Sequence, residues 1–246
     1  MSEFDFPGKY YEIIRKDFRD LSAETDFFVD LAGDGGEVLD LGCGTGTNLR
    51  ALHERGHTGV GVDTSVEFLS WAKSSSRGGV EYINTSITEF QCDAQFDLIL
   101  CVFGTLNLIP PDKWSGLFHR MRKLLRPGGH LVVDAAQLLN YVDSYQPFVI
   151  SHHEGHGVLL TRLARTIVNA HTTNWRHEET IVVREDDGRV SMYGNFFDQW
   201  LVTAGDVRRA LADSGLQLTA EYGSFRRTAP PAIGKGPLIQ VATRVT

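Results

Sequence analysis

The 246-residue chain has only three cysteines, and Cys43, Cys92 and Cys101 are odd in number with no Cys-x-x-Cys spacing. Neither a disulfide framework nor a zinc site is implied, so no metal is expected and a reducing cytoplasm is the expected compartment. Positive charge is in deficit too: 24 Lys and Arg stand against 31 Asp and Glu, for a formal net charge of −7. Nucleic-acid binders carry a basic stripe, and none is present, so no polyanion partner is expected. No apolar run approaches the roughly 20 residues of a membrane span. The opening segment MSEFDFPGKYYEIIRKDF is acidic and aromatic where a secretory signal is basic and then apolar. What is left, 42% hydrophobic and 22% charged, suits a globular protein of one large α/β domain, or of one domain with a sizeable insertion, better than two equal domains.

From Val38 to Ala136 short apolar runs alternate with helical patterns, the signature of a parallel sheet covered by helices on both faces. The expected strands are EVLDL (37–41), TGVGVD (58–63), VEYIN (80–84), FDLILCVF (96–103) and HLVVDAA (130–136). Thr64 and Glu67 have capping-box spacing ahead of one helix. Trp114, Leu117, Phe118, Met121, Leu124 and Leu125 give another its apolar stripe, and RPGG (126–129) stops it. Beyond Gln137 the pattern turns β-rich over 158–169, 178–185 and 189–202, with Asp187-Gly188 as a hairpin turn between the last two. A helix capped by Thr203 and Asp206 and two apolar strands close the chain, with IGKGP (233–237) as a turn. The expected organisation is a helical lid over 1–32, an α/β core over 33–140, a β-rich cap over 141–202 and a return to the core over 203–246.

Gly42, Gly44 and Gly46 form a G-x-G-x-G loop between the first strand and a helix, where a side chain would hold the backbone away from a ligand. No Gly-Lys-Ser/Thr follows, so this is not a triphosphate loop. Thr47 stands where a dinucleotide fingerprint has its third glycine. Asp63, at the end of the second strand, is placed to accept hydrogen bonds from a ribose diol, which suits either NAD or S-adenosylmethionine. Asp40 separates the two. A carboxylate at the loop mouth repels a pyrophosphate and attracts a sulfonium and an α-ammonium.

VLDLGCGTG, GVDTS, FDLILCVF and LLRPGGHLVVD, in that order and spacing, resemble the motifs of the class I S-adenosylmethionine-dependent methyltransferases. The resemblance covers about residues 36–136. It implies an α/β fold with a Rossmann-like doubly wound sheet, mostly parallel with an antiparallel final strand, and an antiparallel β insertion after strand 5. It also implies that Asp40 and the loop Gly42, Cys43, Gly44 and Gly46 hold the methionine part, while Asp63, with Thr64 beside it, holds the ribose. Ser86 and Ile87 would then flank the adenine, and the backbone around Cys101 would reach the methionine amine. Many relatives have an acidic residue where this chain has Ser86. The second half is similar in layout to glycine and aminosugar N-methyltransferases, which sets the size of a substrate rather than its identity.

Methyl transfer from a sulfonium needs alignment and exclusion of water more than a dedicated base, so no catalytic motif is required. Substrate-side candidates are Tyr10, Tyr11, Phe103, Asn107 and the stretch GNFFDQW, in which Asn195, Phe197 and Gln199 share one face and Phe196, Asp198 and Trp200 the other. Either tyrosine could instead anchor its helix to the body, Phe103 is equally readable as core packing, and core packing is the favoured reading for at least two aromatics of GNFFDQW. His152, His153 and His156 in SHHEGHG read as a solvated loop rather than a metal site, and Arg162 and Arg165 as an exposed charged face or a carboxylate site. The expected activity is methyl transfer to nitrogen or oxygen of a small molecule. The alternatives are a non-catalytic S-adenosylmethionine-binding protein and an NAD-dependent oxidoreductase. The strand edges of the insertion make a homodimer through it the expected assembly.

Overall fold

The structure, a computed structural model, describes residues 6–136, 145–169, 171–230 and 238–245; the 233–237 turn lies outside them. Five strands, β1 (Glu37–Leu41), β2 (Thr58–Asp63), β3 (Val80–Asn84), β4 (Phe96–Cys101) and β5 (Leu125–Ala135), run parallel. A four-stranded sheet follows, of β6 (Phe148–Gly155), β7 (Val158–Asn169), β8 (Asn174–Glu185) and β9 (Val190–Trp200). The chain then returns to the first sheet with β10 (Gln217–Tyr222) and β11 (Leu238–Thr243). The seven-stranded order is β3-β2-β1-β4-β5-β11-β10, and β11 is antiparallel to both its neighbours.

Six helices are described: α1 (Gly8–Lys16), α2 (Leu21–Ala32), α3 (Thr47–Glu54), α4 (Val66–Ser75), α5 (Trp114–Leu124) and α6 (Ala204–Asp213). The parallel strands are apolar almost throughout because both faces are covered. Leu39, Leu41, Ile99, Cys101, Leu131 and Val133 point to α5 and α6. Their neighbours Val38, Leu98, Leu100 and Val132 point to α2, α3 and α4. This two-residue alternation sends Asp40 to the α3 side of β1 and Cys101 to the α5 side of β4.

Three boundaries differ from the sequence reading. Ser65, not Thr64, caps α4, its hydroxyl accepting from the Phe68 amide at 3.2 Å, because the carboxylate of Asp63 takes the Ser65 amide and turns the chain one residue later. RPGG does end α5, but the backbone continues directly as β5, where the Gly128 amide donates to the Arg244 carbonyl across the sheet. β4 stops at Cys101, and Phe103 adopts φ 60°. The cap of α6 is as expected, with the Thr203 and Asp206 side chains bonding each other's backbone amides.

The SHHEGHG segment is not a loop. His152 and His153 lie in β6, and His156-Gly157 is the turn of a tight hairpin, both residues having positive φ (51° and 74°). The strand escaped recognition because Ser151 and His153 fill inward positions that an apolar alternation would have marked. His153 is buried, with Asp17 and Ser151 each 3.0 Å from its two ring nitrogens. The Asp187-Gly188 hairpin forms between β8 and β9. Helix α1 fills the space between the two sheets: Tyr10, Ile13 and Ile14 share one apolar cluster with Phe68 of α4 and with Leu160, Ile181 and Val183 of the four-stranded sheet.

Candidate active site

Strand order reverses between β1 and β4: the chain runs from β1 to β2 on one side and places β4 on the other. In open α/β sheets the crevice outside the strand carboxyl ends at such a point receives ligands. The glycine loop borders it. Gly42 has φ 79°, and its amide and that of Cys43 donate to the Val62 carbonyl at 2.8 and 3.1 Å. A methyl group on Gly42 would come within 2.5 Å of Thr105, and one on Gly46 would run into the Tyr82 hydroxyl. The glycines therefore let the loop pack against its own scaffold while its open side faces the crevice.

Three aspartates stand at strand carboxyl ends. Asp40 is 1% exposed and accepts from the Asn48 amide at 3.3 Å. Burial pushes its carboxyl up to about 7, against the pull of Asn48 and of Arg19, whose side chain reaches Asn48. Asp63 accepts from the amides of Gly44 (2.8 Å) and Ser65 (2.9 Å), and burial raises its pKa despite them. Asp134 accepts from the Gly104 amide at 2.7 Å and is likewise raised by burial. Asp63 thus fixes the loop after β1, and Asp134 fixes the loop after β4.

The cavity above has a volume of about 1230 Å³. That exceeds the roughly 300–1,000 Å³ of a site for one small ligand. Gly42, Cys43, Gly44, Asp63, Thr64, Ser86 and Ile87 line it, as do Tyr11 and Phe103. Asp40 lies just beneath, behind Asn48. Gly46 and Cys101 are not in its wall; Cys101 is fully buried toward α5, and Val102, Phe103 and Gly104 line the cavity in its place.

The two tyrosines separate. Tyr10 is buried against Tyr193 and anchors α1 to the four-stranded sheet, whereas the Tyr11 ring faces the cavity 4.7 Å from that of Phe68. The Phe103 ring is covered by the Arg19 guanidinium at 4.1 Å. Asn107 does not face the cavity. It is wholly buried, with its amide donating to the carbonyls of Ala136 (3.1 Å) and Trp200 (2.7 Å) and accepting from the Ala136 amide (2.7 Å). It clasps the cap to the core. Asn195 is also outside this cavity and donates to Glu179 at 2.9 Å. Phe197 and Gln199 line it, and at the end of β9 so do Asp198 and Trp200.

Three cavity residues carried no sequence signal: Arg15 and Arg19 arrive from the end of α1 and the loop after it, and Glu179 from the four-stranded sheet. Arg162, read from the sequence as an exposed charged face or a carboxylate site, lines the cavity from β7. Asp134 had a signal of the same kind as Asp40 and Asp63, an acid at the end of an apolar strand. Among the described residues no group of His, Cys, Asp or Glu is placed to hold a metal ion, and no helix is long and apolar enough to cross a membrane.

Residues 38–129, which contain the glycine loop, β1 but for its first residue, and all of β2 to β4, match the methyltransferase domain family. That stretch of the chain has the sequence of a methyltransferase domain. A demethylmenaquinone methyltransferase of Clavibacter sepedonicus is 34% identical over 102 residues, which is 40% of each chain. The likeness to this relative is thus confined to less than half of either protein. Among solved structures, an S-adenosylmethionine-dependent methyltransferase of Clostridium acetobutylicum superposes with a TM-score of 0.82 over 97% of both chains at 18% identity. A sugar N-methyltransferase of Streptoalloteichus superposes with a TM-score of 0.78, at 21% identity, over 100% of this chain and 94% of that one. The methyltransferase domain therefore sits in the class I fold, and the four-stranded insertion belongs to the shared architecture.

The residues present fit the cofactor. Asp40 is a buried carboxylate whose one direct hydrogen bond among the described residues comes from a neutral amide, which leaves it suited to a nearby cation such as the α-ammonium. The Asp63 carboxylate reaches the same cavity.

Proposed function

We propose that the whole chain is a small-molecule methyltransferase that alkylates a nitrogen or an oxygen of its acceptor. The supporting observation is a single cavity of about 1230 Å³ between the cofactor loop and the cap, large enough for a cofactor and an acceptor together. S-adenosylmethionine, when bound, supplies a methyl group already activated on a sulfonium. The protein's tasks are then to hold, align and exclude water. Asp63 accepts from the ribose hydroxyls, the Gly42–Gly46 backbone and Asp40 hold the methionine part, and Ser86 and Ile87 flank the adenine. Tyr11 and Phe68 close the site from the N-terminal helix side, with residues 1–32 as lid and 141–202 as cap. A buried acid at Asp40 disfavours a pyrophosphate and hence a nicotinamide dinucleotide. The test is calorimetry with S-adenosylhomocysteine, followed by mass spectrometry of small amines and hydroxylated metabolites incubated with the methyl donor. Binding and a gain of one methyl group are expected; absence of binding ends the proposal.

The outer face of the four-stranded sheet supports a homodimer. Phe148, Ile150, Val190 and Met192 are each at least 60% exposed there. They lie on the two edge strands, β6 and β9, where exposed apolar side chains favour contact with a second copy. Sedimentation is expected to give a dimer, and Ile150→Lys together with Met192→Lys a monomer; a wild-type monomer at high concentration removes the proposal. We infer a cytoplasmic location, which the three unpaired thiols support, since a reducing compartment keeps thiols free.

A further inference from the structure

The roof of the cavity holds a polar cluster for which methyl transfer, as described so far, has no use. Strand pairing puts Arg162 of β7, His177 and Glu179 of β8 and Asn195 of β9 on the inward face of the four-stranded sheet. Arg162 Nε donates to Glu179 Oε2 at 2.6 Å, and its Nη2 lies 2.6 Å from His177 Nε2. A guanidinium has only donors, so the His177 Nε2 accepts, and the ring is neutral with its Nδ1 proton directed to Thr166 Oγ1 at 3.3 Å. Asn195 donates to the other Glu179 oxygen at 2.9 Å. Burial pushes the Glu179 carboxyl up, but the Arg162 guanidinium and the Asn195 amide pull it down.

One group in this cluster is left over. Arg162 lines the cavity with 20% of its side chain exposed, and its Nη1 has no recorded protein partner among the described residues. Glu179 and His177 hold the guanidinium plane from behind, so a ligand that meets it does not have to order a flexible side chain. Among the described residues of the four-stranded sheet the other acid lining the cavity is Asp198, and it is bound to Arg176 through two hydrogen bonds of 2.9 and 2.8 Å. Lys113 lines the same cavity and adds positive charge.

We propose that Arg162, pre-set by Glu179 and His177, is the acceptor-recognition site and takes an oxyanion, a carboxylate or a phosphate, carried by the molecule that is methylated. This rests on the reading of the chain as a small-molecule methyltransferase and adds the chemical class of the acceptor. A planar fork fixed on one edge suits an oxyanion better than a hydroxyl, since charge-assisted hydrogen bonds are about twice as strong as neutral ones.

The test uses full-length protein saturated with S-adenosylhomocysteine, at constant ionic strength. The probes are inorganic phosphate, followed by its phosphorus NMR linewidth, and carboxyl-labelled acetate, followed by its carbon linewidth. At least one anion is expected to broaden on the wild type. Arg162→Gln alone strands a buried carboxylate and risks unfolding, so the main variant is Arg162→Gln with Glu179→Gln, which removes both charges. It should bind the responding anion about tenfold more weakly. Arg162→Lys keeps the charge paired with Glu179 but lacks the fork, and should fall between the two. S-adenosylhomocysteine affinity should stay within about twofold in both variants. A response to acetate assigns a carboxylate acceptor, and one to phosphate a phosphorylated acceptor. The proposal is overturned if neither anion responds, if the variants bind both as the wild type does, or if cofactor affinity drops with them, which would make Arg162 part of the cofactor site. Failure of S-adenosylhomocysteine to bind the wild type would instead sink the functional reading beneath it.

Discussion

Asp63→Ala is expected to weaken S-adenosylhomocysteine binding by about 100-fold, the loss of roughly two charge-assisted hydrogen bonds. Two effects combine. The carboxylate is the proposed acceptor for the ribose hydroxyls, and an alanine methyl offers them nothing. The same carboxylate also holds the Gly44 amide at 2.8 Å and the Ser65 amide at 2.9 Å, so its removal frees the glycine loop from the start of α4. Asp63→Asn separates the contributions. An asparagine oxygen can still accept from one amide, but its NH₂ group faces the other donor, and the variant should lie about tenfold below the wild type. Calorimetry gives the affinities and thermal unfolding the structural cost. An alanine variant that binds within a few-fold of the wild type would remove Asp63 from the cofactor site.

Asp63 was legible in the sequence for the same reason that β1 to β5 were. The glycine loop, the acids at strand ends and the two-residue alternation are local patterns, each contained in a dozen residues, and local patterns survive without knowledge of the fold. Arg19 is the opposite case, a residue of the loop after α1 that no local pattern marks. Arg162 in β7 was open to two readings, a charged face or a carboxylate site, and only the fold brings it to the same cavity as Arg19. Asn107 shows how position misleads: it stands at the carboxyl edge where ligands bind, yet all its hydrogen-bonding capacity goes to the backbones of Ala136 and Trp200. Position alone does not tell a clasp from a contact. Phe103 read as strand because it is apolar and follows an apolar run, but the Asp134 carboxylate captures the next amide and bends the chain away. β6 was missed because its inward positions carry polar residues that are satisfied by groups distant in sequence, such as Asp17 for His153.

Asp40→Asn should stabilise the fold at pH 8 and weaken cofactor binding, a trade expected where a buried charge serves function. Burial raises the Asp40 carboxyl from the usual 3.8 to about 7. The folded chain thus binds this proton more tightly than the unfolded chain does. The stability this confers is complete below about pH 4 and is lost progressively as the pH rises through about 7. At pH 8 the ionised, buried carboxylate costs on the order of 4 kcal/mol relative to its protonated form. An asparagine cannot ionise, and its oxygen can still accept from the Asn48 amide, so the variant escapes this loss. Urea unfolding should show it more stable than the wild type at pH 8 by about 2 kcal/mol or more, with the advantage gone near pH 4. Binding should move the other way. The α-ammonium favours the ionised acid, so wild-type affinity for S-adenosylhomocysteine is expected to rise between pH 6 and pH 8. The variant should bind about tenfold more weakly at pH 8 and lack that rise. Equal pH slopes for the two proteins in both measurements would show that Asp40 is not the group that senses the cofactor's positive charge.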